Sequence, residues 1–282
     1  QKNADRFTLV SIFKPENPEQ KSHGILYFII EIIANDPSMG RVAKIIEKTV
    51  IDKYYENLDD SLRSLEDSLK AVNEKLSLLA DEGEIGWIGK INGVIAVLEN
   101  NLLHVTQTGT VESYLVRDNK IVHITEGLSS AAERPNPLKT FLNIASGEMK
   151  LGDKIIISTS ELFYHFSLDD LRRINMKFAP AVAAAYIVKM LRKENIESIN
   201  TLILELANNN EDENPLANLG EKIWGEESKI TEQYNARIVP FWKFFLKTSK
   251  KGVTTSLSKS KELYGEKIVP GVSKFAQEAS KK

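Results

Sequence analysis

Four glutamates, Glu31, Glu112, Glu161 and Glu205, lie on or beside segments that read as β-strands. Carboxylates of this kind are the oxygen donors that hard divalent ions take. Isolated, they are solvated or locally paired strand-end charges. The other reactive residue types offer less. His23, His104, His123 and His165 show no H-x-H or H-E-x-x-H spacing and read as ordinary strand-face or surface histidines. No Gly-x-Ser-x-Gly elbow occurs, so nucleophilic serine catalysis has no support. Gly86, Gly89 and Gly93 are followed by no Gly-Lys-Ser/Thr, and they read as bends rather than a phosphate loop. The chain has no cysteine, which excludes disulfides, thiolate ligands and thiol catalysis and fits a reducing, cytoplasmic compartment.

Such residues work only if the backbone positions them, and the stretch from Ile88 to Gly127 organises the chain. Short apolar runs there are divided by Glu99-Asn100-Asn101, interrupted at Gln107-Thr108-Gly109 and divided again by Asp118-Asn119. Asn and Asp tolerate the left-handed backbone of tight hairpins. Leu103 and Val105 alternate with His104 and Thr106, and Val111, Ser113 and Leu115 with Glu112, Tyr114 and Val116. A period of two marks strands with one face on a core, and the pattern predicts an antiparallel meander at the centre of a sheet.

Before the meander, Phe7–Lys14 reads as a strand, a polar loop follows, and Gly24–Ile33 reads as a strand apolar on both faces. Asp36-Pro37-Ser38 signals a helix start, with apolar positions at helical spacing from Arg41 to Tyr55. Leu62, Leu65, Leu69, Val72, Leu76 and Leu79 step by three and four, which predicts a second helix lying on the sheet rather than a coiled-coil seam. After the meander, 129–149 reads as loop and Lys154–Ser158 as a strand. Ser167 and Asp170 form a capping box for a short helix, Pro180–Leu191 is a further helix, and Asn200–Ala207 is a closing strand. Asn208-Asn209-Asn210 places a boundary near residue 210, giving a domain over 1–210 and an extension over 211–282.

The extension differs in charge. Arg237 to Lys282 holds eleven Lys or Arg against three Glu, a net of +8, which leaves −10 for residues 1–236. Ile238–Lys247 sets Phe241, Trp242, Phe244 and Phe245 beside Lys243 and Lys247. This segment reads either as a helix docked on the body or as a membrane-surface segment on anionic lipid. From Thr248 onward the composition is that of a flexible arm. No recognisable nucleic-acid motif accompanies the lysines, and none is expected as a partner. No run of about 18 apolar residues occurs, so no membrane span is expected. The chain begins at Gln1 without a signal-peptide pattern, and reads as a segment of something longer or a processed start.

The order strand, strand, two helices, meander, loop, strand, helices, strand resembles the metal-dependent PPM-type (type 2C) serine/threonine protein phosphatases over roughly residues 7–207. GILYFIIEIIANDPSMGRVAK resembles the family's first metal motif, with Gly40 and Ala43 in register. SLEDSLKAVNEKL resembles its second helix, HVTQTGTVESYLVRDNKI its Gly-Asp-Ser-Arg strand and hairpin, LGDKIIISTSELF its Ser-Asp-Gly-Leu strand, and SINTLILEL its closing strand. The resemblance implies an α+β fold, a four-layer αββα sandwich of two antiparallel sheets flanked by helix pairs. It also implies two Mg²⁺ or Mn²⁺ ions, held by aspartates at strand ends, activating a water for attack on phosphorus.

This chain departs from that pattern where the ligands belong. Ile32-Ile33 stands for the first Asp-Gly, or Glu31-Ile32 if the alignment slips by one. Thr110 stands in the Gly-Asp-Ser-Arg motif, Ser160 for the fourth strand's Asp and Ser198 for the last. No counterpart of the family's phosphate-binding arginine is evident near Asp5-Arg6. Clustered carboxylates repel unless metal neutralises them, and isoleucine in their place favours a metal-free fold. The reading is a pseudophosphatase without cofactor or catalytic residues, binding a protein partner, phosphoproteins among the candidates, in regulation or scaffolding. Two alternatives remain: an active Mg²⁺- or Mn²⁺-dependent phosphatase in which Glu31, Glu112 and Glu161 rebuild the site, and a membrane-associated assembly component working through its tail. A side chain one place along a strand faces the other way, so Glu31 and Glu161 would each need a bulge to serve.

Overall fold

The structure, a computed structural model, describes residues 5–129, 135–192 and 198–207 and the backbone of 272–273. In chain order its elements are β1 (Arg6–Phe13), α1 (Pro18–Ser22), β2 (Ile25–Ile33), α2 (Met39–Tyr54), α3 (Ser61–Asp81), β3 (Ile91–Glu99), β4 (Leu102–Thr108), β5 (Glu112–Arg117) and β6 (Lys120–His123). Then follow β7 (Ile144–Glu148), β8 (Lys154–Ser158), α4 (Leu162–His165), α5 (Leu168–Lys177), α6 (Pro180–Leu191), β9 (Thr201–Glu205) and β10 (Val272–Ser273).

One sheet runs β1-β2-β3-β4-β7-β10, antiparallel except for the β7–β10 pair, and the other runs β6-β5-β8-β9, antiparallel throughout. Strand parity explains the layers. In β2, Leu26, Phe28, Ile30 and Ile32 enter a core with Val42, Ile46 and Val50 of α2 and Leu65, Leu69 and Leu76 of α3. The alternate residues Ile25, Tyr27 and Ile29 meet Val111 and Leu115 of the second sheet with Ile155 and Ile157. Val116, Ile156 and Ile203 face outward again, onto Leu171, Ile174, Ala183 and Ile187 of α5 and α6. The layers are therefore helix pair, sheet, sheet, helix pair, and β2 is apolar throughout because both its faces are covered.

The Ile88–Gly127 stretch corrects the sequence reading. It is not one meander in one sheet. β3 and β4 belong to the first sheet, while β5 pairs with β8 in the second. The chain crosses between them at Gly109, whose φ of 66° and close approach to the Ile91 carbonyl (2.8 Å from where a Cβ would stand) admit no side chain without a shift. The leucine stripe lies on the first sheet, as its spacing predicted. The capping box is present, Ser167 receiving the Asp170 N–H and Asp170 accepting from Ser167. Among the described residues no helix is long and apolar enough to cross a membrane.

Candidate functional site

At one end of the face between the sheets, three charged side chains converge. Glu31 shares the parity of Ile25, Tyr27 and Ile29, so it points between the sheets. The β1–β2 register is unbroken from Arg6↔Ile33 to Phe13↔Leu26, so Glu31 reaches this face without the bulge that sequence spacing had required. Glu161 arrives from the other sheet, as the N-cap residue of α4 just beyond β8. Arg6, the first residue of β1, spans the two: Nη1 lies 3.1 Å from Glu31 Oε1, and Nη2 lies 2.6 Å from Glu161 Oε1.

The electrostatics are uneven. The Glu31 side chain is only 2% exposed, against 23% for Glu161 and 31% for Arg6. Burial, opposed by Arg6 and reinforced by the Glu161 charge, raises the Glu31 carboxyl above its ordinary value. Burial pushes Glu161 the same way, but hydrogen bonds from Arg6, its own backbone and Thr159 outweigh it and hold that carboxyl low. Glu31 Oε1 stands at ion-pair distance without making a hydrogen bond, and Glu161 Oε2 is also buried without a hydrogen-bond partner. Buried carboxylate oxygens so placed depend on the guanidinium for their compensation.

The remaining sequence candidates distribute as follows. Ile33 is the cross-strand partner of Arg6, with its N–H bonded to the Lys90 carbonyl at 3.2 Å. Ile32 faces away, fully buried in the helix-side core. Asn92 lies opposite Glu31 across β2–β3, and its Oδ1 accepts from the Thr110 N–H (3.1 Å) and hydroxyl (3.3 Å), which ties Thr110 to this end. Ser160 adjoins Glu161, its carbonyl accepting from the Phe163 N–H at 3.1 Å. Ser198 precedes β9 and accepts from Asn200 Nδ2 at 3.3 Å. Glu112 is elsewhere: it shares the outward parity of Tyr114 and Val116 and accepts from the Tyr114 hydroxyl at 2.6 Å. Glu205 lies at the far end of β8, 3.7 Å from Lys154 Nζ. The structure thus brings Glu31 and Glu161 together and leaves Glu112 and Glu205 out. Phe241, Trp242, Lys243, Phe244, Phe245 and Lys247 lie outside the described residues.

Arg6 is the residue that sequence reasoning missed. An arginine opening a strand reads as edge charge. Its signal was diagonal: Glu31 pairs with Thr8, so Arg6 and Glu31 share one face two residues apart, within reach of a long side chain.

A dinuclear centre needs several anionic oxygens around two cations. Among the described residues, no group of three or more His, Asp or Glu is placed to hold a metal ion. The two carboxylates present already hold a cation of the chain's own. These residues do not fit the dinuclear centre.

No protein-family model matches the chain, and no curated protein does. Solved structures do match in fold. PppA, described as a key regulatory component of T6SS in Pseudomonas aeruginosa, is 14% identical with a TM-score of 0.53, over 71% of this chain and 97% of that one. The Mycobacterium tuberculosis serine/threonine phosphatase PstP/Ppp is 12% identical with a TM-score of 0.50, over 73% and 99%. A bacterial serine phosphatase is 12% identical with a TM-score of 0.54, over 71% and 95%. The fold is that of the PPM-type phosphatases.

Proposed function

We propose that this chain is a catalytically inactive phosphatase-like module, a pseudophosphatase that binds a protein in a regulatory or scaffolding role. One observation carries the reading: a guanidinium stands between the only two glutamates gathered at the strand ends, among the described residues, on the face between the sheets. A metal-dependent phosphatase needs that space for divalent ions and their bridging water. Ile33, Thr110, Ser160 and Ser198 support the same reading, since none offers a carboxylate. The fold shared with PppA, a regulatory component in its own system, favours regulation as the role. The partner proposed is a protein, with phosphoproteins the first class to try, and the module is placed in residues 1–210 with 211–282 as an extension.

Hydrolysis of an aryl phosphate with and without millimolar Mn²⁺ tests the proposal. The expected rate equals the reagent blank in both. A Mn²⁺-dependent rate that Glu31→Ala or Glu161→Ala abolishes would establish the active alternative instead.

A further inference from the structure

We infer that Arg6 is the resident cation of the inter-sheet cleft, a covalent stand-in for divalent metal that fastens the two sheets together at this end. Glu31 belongs to the first sheet and Glu161 to the helix start that leaves the second, and a single guanidinium contacts both. Its two terminal nitrogens take one carboxylate each, a use of the planar fork that a lysine could not reproduce. Without Arg6 the end of the cleft would hold two neighbouring carboxylates, one almost wholly buried, each with an oxygen that no hydrogen bond satisfies. Such a pair requires a positive charge between its members or must take up a proton.

Glu31 and Glu161 with Arg6 removed form a two-carboxylate niche open to a divalent ion that retains much of its water. The intact chain offers no such niche, because the cation is already built in. This inference rests on the inactive reading of the cleft.

Thermal unfolding of the full chain and of Arg6→Ala, each with and without millimolar Mn²⁺, tests it. The intact chain is expected to melt at one temperature regardless of Mn²⁺. Arg6→Ala should melt lower by roughly 5–10 °C at neutral pH and recover part of that loss with Mn²⁺. The double variant Arg6→Ala/Glu161→Gln should lose the Mn²⁺ response. If Arg6→Ala does not fold, Arg6→Lys carries the test: it keeps a charge without the fork and should show a smaller loss with a weaker Mn²⁺ recovery. An Arg6 variant that melts like the intact chain and ignores Mn²⁺ overturns this inference alone. An intact chain that Mn²⁺ stabilises as strongly as the variant overturns the inactive reading with it.

Discussion

The first sheet carries a buried polar cluster at each end, and the two are built on opposite terms. At the Glu99 end, on the helix side, His104 lies between Ser61 and Ser146, with Nε2 3.1 Å from the Ser61 hydroxyl and Nδ1 2.7 Å from that of Ser146. Ser61 donates onward to Glu99 at 2.6 Å, so Nε2 carries the proton and Nδ1 accepts. Every polar atom named there has a partner, and burial pushes the imidazole pKa down to about 4, which keeps it neutral. At the Glu31 end, between the sheets, the groups are charged, two carboxylates share one cation, and two oxygens lack hydrogen bonds. The first cluster is what a fold makes when it only has to close its layers. The second gathers charge between the sheets, and its cation is the side chain of Arg6.

The largest effect expected from breaking this contrast is at the charged end. Arg6→Ala should lower unfolding free energy by about 3 kcal/mol, since it strands buried charge, and urea titration measures it. Acid should act most strongly on the neutral end. The unfolded chain takes up protons on His104 near the ordinary 6.5, while the folded chain resists until about 4. Its contribution is therefore complete above 6.5 and is lost as pH falls from there, by roughly 3 kcal/mol at the limit. His23, whose pKa burial also lowers, adds a loss of the same sign. Glu31 works in the other direction: its raised carboxyl binds protons more readily when folded, so Glu31→Gln should make the acid loss steeper in the same titration. Ser61→Ala, which leaves Glu99 and His104 short of a partner, should cost about 1–2 kcal/mol without changing the response to Mn²⁺. Smallest is Ser167→Ala, in neither cluster, at about 1 kcal/mol for a lost helix cap.

Much of the fold was legible because it is local. The α3 stripe, the fully apolar β2, the Ser167 capping box and the Pro180–Leu191 helix each write their geometry into neighbouring residues. β7 was not legible: Ile144-Ala-Ser-Gly-Glu148 is short and small, and its buried Ile144 and Ala145 are adjacent rather than alternating. Pro18–Ser22 carries no helical periodicity in its sequence, because a helix of five residues buries nothing. The division of the meander between sheets could not be read either, since a strand's alternation is the same whichever sheet it joins. The same limit hid the charged cluster. Parity was readable within β2, yet the ligand-like position could be chosen as Glu31 or Ile32 only after the packing of both faces was known. Arg6 and Glu161 are joined across 155 positions of sequence by a contact that no local pattern announces.

The most direct test of the account is calorimetric titration of Mn²⁺ into the intact chain. Heat no greater than that of dilution is the result expected when the Arg6 guanidinium already occupies the space between Glu31 and Glu161. Saturable binding of two ions per chain, weakened by Glu31→Gln, would contradict it.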